Sequence, residues 1–82
     1  MLIADEKKDL ELLKKYNFEY KPNEMFNNPY YVNASGSIIF WVKDRRLEVH
    51  MINNLRNELD VIYDLIKDGF IHKQKINKSV IR

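Results

Sequence analysis

The 82-residue chain has no cysteine, which removes disulfide staples and thiolate metal sites and fits a reducing compartment. Its two glycines are too few for a phosphate-cradling loop of the P-loop or dinucleotide kind. No apolar run approaches the ~20 residues of a membrane span. The N-terminus turns acidic at Asp5 and Glu6, unlike a basic-then-apolar leader. The expected compartment is the cytoplasm. The two histidines, His50 and His72, lack the HxxxH or HxxE spacing of a zinc site, and Ser35, Ser37 and Ser79 lie outside any nucleophile-elbow pattern. The chain is expected to be non-enzymatic, with no catalytic residue, metal or cofactor.

What is present is enough for one small core. Apolar residues make up 45% of the sequence, too many for a disordered segment, and the length allows a single modest domain. The net charge of +2 is unevenly spread. Residues 70–82 hold Lys73, Lys75, Lys78 and Arg82 and no acid, while the other 69 hold ten basic and twelve acidic side chains. The expected organisation is one domain over residues 1–71 and a basic tail over 72–82, with a short strand where the two meet.

Asp5 is placed to cap a first helix over residues 5–15, with Lys14 and Lys15 in its last turn. Leu10 and Leu13 form its apolar stripe, widened by Leu12 and Tyr16, and Asn17 suits a left-handed stop. Phe18, Glu19 and Tyr20 alternate as a short strand, and residues 21–29, with two prolines and three asparagines, read as a loop. Strands follow at 30–33, 38–43 and 47–51, turning at Ser35-Gly36 and at Asp44-Arg45. Pairing Val42 with Leu47, Phe40 with Val49 and Ile38 with Met51 gathers the apolar residues on one face, and a one-residue slip would mix the faces. A second helix starts at Asn53 or Asn54 and runs to about residue 68, burying Leu55, Leu59, Ile62 and Ile66 with Leu65 beside them. Gly69 and Phe70 close it. The expected fold class is α+β, in the order α-β-β-β-β-α: a small antiparallel sheet of three to four strands with both helices packed on one face.

The face turned away from that core carries Tyr30, Val32, Ile39, Trp41, Glu48 and His50, and is unusually apolar for a solvated surface. His50 is expected as a cross-strand neighbour of Ile39. Contiguous exposed apolar surface marks interaction sites, and aromatic anchors dominate interface energetics. The other reading is that the C-terminal segment or the 21–29 loop folds over this face. Lys43, Arg45 and Arg46 cluster at a hairpin tip and, with Lys73, Lys75 and Lys78 of the tail, form the one basic footprint suited to a nucleic-acid backbone. Asp60, Asp64 and Asp68 make an i, i+4, i+8 carboxylate column, read as a solvated ridge.

The α-β-β-β-α order resembles the double-stranded-RNA-binding domain, whose members hold RNA with a histidine-bearing hairpin loop and a lysine-rich start to the last helix. Here the loop at Ser35-Gly36 has no histidine and the second helix opens Asn54-Leu55-Arg56-Asn57-Glu58, so no RNA role carries over. The chain is also similar to small phage and prophage proteins of low-GC Gram-positive bacteria. That resemblance rests on Leu12-Leu13-Lys14-Lys15-Tyr16-Asn17-Phe18 and on Ile62-Tyr63-Asp64-Leu65-Ile66-Lys67-Asp68-Gly69-Phe70-Ile71. It implies an accessory or regulatory role through binding.

The expected function is therefore a protein-interaction module, a phage-type modulator that occludes a surface of a host protein, or a homodimer, acting through Tyr30, Val32, Ile39 and Trp41. The alternative is a nucleic-acid-binding accessory protein using the basic hairpin tip and tail.

Overall fold

The computed structural model describes residues 2–50 and 55–74. The chain runs β1 (Leu2–Ala4), a 3-10 helix (Leu10–Tyr16), β2 (Phe18–Lys21), a 3-10 turn (Glu24–Phe26), β3 (Tyr30–Asn33), β4 (Ile38–Trp41), β5 (Leu47–Val49), α1 (Leu55–Lys67) and β6 (Ile71–Lys73). Strands β2-β3-β4-β5 form an antiparallel meander, and β1 pairs with β6 in a separate antiparallel ribbon. The fold is α+β with a four-stranded sheet, as the sequence predicts.

The expected order fails at its start. Asp5 does not cap a helix: its carboxylate accepts the Lys7 amide at 2.8 Å and closes one turn. Asp9 is the cap, accepting from the Glu11 amide at 2.9 Å. The helix that follows is 3-10: Leu10 and Leu13 are in the core, and Leu12 and Tyr16 pack against it. Asn17 ends it in the left-handed conformation at φ 68°, as expected, and the chain enters β2.

In the sheet, Tyr31 lies opposite Phe40 across β3 and β4, the register that a two-residue turn at Ser35-Gly36 gives. Between β4 and β5 the register is two residues away from expectation: Phe40 faces Leu47 and Ile38 faces Val49. The turn is not Asp44-Arg45 alone. Trp41 and Arg46 close a four-residue loop in which Arg45 takes a left-handed φ of 59°. A two-residue shift keeps each side chain on its face, so the core face survives the change. Ile39 accordingly pairs with Glu48 and not with His50, whose amide bonds the Ser37 carbonyl at 2.7 Å.

The core gathers Phe18, Tyr31, Ile38, Phe40 and Leu47 from the sheet, Leu10 and Leu13 from the 3-10 helix, Leu65 from α1, and Ala4, Phe70 and Ile71 from the ribbon region. Phe40 is fully buried, its ring edge-on to Phe18 at 5.6 Å and to Phe70 at 6.1 Å. Helix α1 meets this core on a different line from the predicted stripe. Leu65 and Glu58 are buried and Val61 and Ile62 half-buried, whereas Leu59, Tyr63 and Ile66 are 53%, 65% and 50% exposed. The predicted cap at Asn53 or Asn54, the Met51 pairing and the Leu55 side chain lie outside the described residues.

Gly69 ends α1 as predicted. Its amide bonds the Ile66 carbonyl at 3.0 Å and the Phe70 amide bonds the Leu65 carbonyl at 2.8 Å, which is the Schellman arrangement, with Phe70 and Leu65 both buried beneath it. A Cβ on Gly69 would meet nothing within 4 Å, but its φ is 74°. Gly69→Ala should therefore cost about 1 kcal/mol through backbone strain alone, read as a lower urea midpoint with an unchanged slope.

Candidate functional site

Antiparallel pairing sorts the outer face of the sheet into two rows, one across all four strands and one across β2 to β4 that Arg46, just before β5, completes. One row reads Glu19, Val32, Ile39, Glu48; the other reads Lys21, Tyr30, Trp41, Arg46. Each row has two apolar residues in the centre, flanked by acids in the first and bases in the second. Tyr30, Val32, Ile39 and Trp41 are all half-buried, and none belongs to the core or packs against it. The Tyr30 and Trp41 rings lie 5.3 Å apart, and the indole Nε1 of Trp41 donates to Glu48 Oε1 at 2.6 Å. Ion pairs run along the edge strands, Lys21 to Glu19 at 3.5 Å and Arg46 to Glu48 at 3.9 Å. The four residues singled out from the sequence are thus one contiguous patch with a fixed tryptophan.

The basic hairpin tip does not form one surface. Arg45 is half-buried, and its Nη2 donates to the carbonyls of Asp5 at 2.7 Å and Lys8 at 2.5 Å, while its own carbonyl accepts the Ala4 amide at 2.8 Å. It clamps the N-terminal segment onto the β4–β5 loop. Arg46 is paired with Asp44 at 3.6 Å and with Glu48. Lys43 is exposed, as is Lys73 on β6; Lys75 and Lys78 lie outside the described residues. Both histidines face carboxylates, His50 near Glu48 at 3.8 Å and His72 near Asp5 at 3.7 Å.

A polar cluster that sequence reading missed joins the β3–β4 hairpin to α1. Glu58, only 5% exposed, accepts at Oε2 from Asn33 Nδ2 at 3.1 Å, from Ser35 Oγ at 2.9 Å and from Ser37 Oγ. Asn33 also accepts the Ile38 amide at its Oδ1, so the turn is tied to both strand and helix. The hydroxyls of Ser37 and Ser35, with the Asn33 amide, hold the Glu58 carboxyl below its ordinary range, against an opposing push from burial. Beside it an open cleft of about 210 Å³ is lined by Tyr16, Asn17, Asn33, Ala34, Ser35, Glu58 and Val61. At its edge the Tyr16 hydroxyl donates to Asp68 at 2.6 Å, and that bond, with burial, pushes the phenol up to about 12. One carboxylate of the Asp60/Asp64/Asp68 column is thereby engaged. Among the described residues no three His, Cys, Asp or Glu side chains converge as metal ligands. The apolar stripe read from the sequence, Leu55, Leu59, Ile62 and Ile66, gave no signal for the Glu58 cluster, because Glu58 is buried on a line displaced from it.

A second surface also went unread. Residues 23–28 fold into a knuckle held by Asn23 Nδ2 donating to the Asn28 carbonyl at 2.9 Å, with Asn23 and Asn27 both left-handed. Met25 and Phe26 project from it, largely exposed.

Two measurements follow from the clamp and the cluster. Arg45→Ala should lose about 2 kcal/mol of stability, because two charge-assisted bonds are lost while the left-handed backbone remains; Arg45→Gly should lose less, and comparison of urea midpoints reads the difference. For Glu58, a lowered folded-state value means stability that is fully present above the ordinary value of 4.5 and is lost as pH falls through the folded value. Urea titrations from pH 7 downward should show the wild type losing stability below about pH 4.5 more steeply than Glu58→Gln.

Comparison with protein-family models, curated proteins and solved structures finds no match.

Proposed function

We propose that the protein is a non-enzymatic interaction module that docks a protein partner on the outer face of its four-stranded sheet. The observation that carries this reading is the patch of Tyr30, Val32, Ile39 and Trp41, contiguous by register and lying on the face opposite the core. An aromatic pair flanked by β-branched residues is the composition of an interface centre, and the charged edge strands supply a polar rim. The indole bonded to Glu48 is held in one orientation, so little side-chain entropy remains to be lost on docking. The modulator role that the phage resemblance implies uses the same surface, since a protein seated there has its own surface occluded.

The polar groups elsewhere support the reading by being engaged in structure. Ser35 and Ser37 spend their hydroxyls on Glu58, and each histidine faces a carboxylate. The nucleic-acid alternative is weakened because Arg45 holds the N-terminal segment and Arg46 is shared between two acids.

A photo-crosslinking side chain at Val32, compared with one at Lys14 on the 3-10 helix, tests the reading in cells. Val32 should give adducts of at least twice the chain mass and Lys14 none. Trp41→Ala should reduce the Val32 adduct by the tenfold or more expected of a hot spot worth about 2 kcal/mol, with an unchanged far-UV spectrum. Equal crosslinking from both positions, or from neither, rejects this face.

A further inference from the structure

The two rows on the outer face have a symmetry that a general docking surface does not need. Both acids, Glu19 and Glu48, lie in the row of Val32 and Ile39; both bases, Lys21 and Arg46, lie in the row of Tyr30 and Trp41. We infer that this face is built to meet a second copy of the chain, related by a two-fold axis that runs between the rows and crosses the strands. The inference rests on the interaction-face reading and names its partner.

The geometry follows from the rows alone. Rotation by half a turn about that axis lays each row over the other row of the second copy while keeping each strand over its counterpart. Glu19 then faces Lys21 of the other copy, and Glu48 faces Arg46. Each intrachain ion pair becomes a square of alternating charge. Val32 faces Tyr30 and Ile39 faces Trp41, so small side chains oppose large ones, the condition for interdigitation across sheets ~10 Å apart. The alternative two-fold, parallel to the strands, brings β2 over β5 and sets Glu19 on Glu48 and Lys21 on Arg46. Like charges face each other at every corner, so this arrangement is disfavoured and the first is selected. An interface of the first kind is isologous, as closed dimers require.

Sedimentation equilibrium of the full chain at up to about 1 mM, the weak end of measurable affinity, tests this directly. The wild type should be a dimer that dissociates as salt rises. Ile39→Asp should be a folded monomer by circular dichroism. Glu19→Lys sets lysine against Lys21 at two symmetry-related sites and should weaken the dimer about tenfold. Adding Lys21→Glu restores alternation and should recover affinity to within about threefold of wild type. A wild type that is monomeric throughout overturns the second copy as partner, yet leaves the face able to crosslink to another protein. A dimer that ignores Ile39→Asp overturns the inference, since the copies then meet elsewhere, and leaves the face to be judged by crosslinking at Val32. A dimer that Ile39→Asp breaks but that the double exchange does not rescue overturns the proposed axis.

Discussion

Phe40 occupies the point where every layer of this protein meets. Its ring is edge-on to Phe18 from the edge strand β2, across β3, and to Phe70 from the closure of α1, and its backbone lies between β3 and β5. Burying that one side chain decides which way the whole sheet faces. Because strand residues alternate, Tyr31 and Leu47 are drawn inward with it and Ile39 and Trp41 are turned outward. The apolar outer face is thus the other half of the same alternation that fills the core.

The alternation was readable in the sequence, and so were two of the points where the backbone turns left-handed, Asn17 and Gly69. These are local signals. The two-residue change of register between β4 and β5 was not readable, because it keeps every side chain on its face and leaves the hydrophobic pattern unchanged. Strand β1 was missed because three residues carry little pattern and its partner, β6, is at the far end of the sequence. Arg45 looked like one more basic residue at a hairpin tip. Its role depends on carbonyls of Asp5 and Lys8, which no periodicity in residues 40–48 can reveal.

Helix α1 shows the same limit from the other side. Of the expected stripe Ile62 packs on the core, whereas Leu59 and Ile66 are exposed, and Glu58 and Leu65 are the buried pair. The hairpin at residues 33–37 presents two hydroxyls and an amide, and those donors make a carboxylate acceptable at an interior position. The helix face that meets the core thus combines Val61, Ile62 and Leu65 with one satisfied carboxylate. Of the candidate site, the four outer-face residues were legible by parity, and the charge rows beside them only became meaningful once register was known.

The ribbon of β1 and β6 has a kinetic meaning. Leu2 lies opposite Lys73, so their pairing closes a loop of about seventy residues and gathers the least help from local structure. The meander, built from neighbouring strands, can form without it. The ribbon is therefore expected to form after the meander and to open before it, although Ala4 and Ile71 join the core. When it opens, the Ala4 amide leaves the Arg45 carbonyl, and the β4–β5 loop loses the strap that holds its left-handed residue. Amide exchange should therefore be fast at both ends of the ribbon together, and slowest around the central strands that carry Phe40.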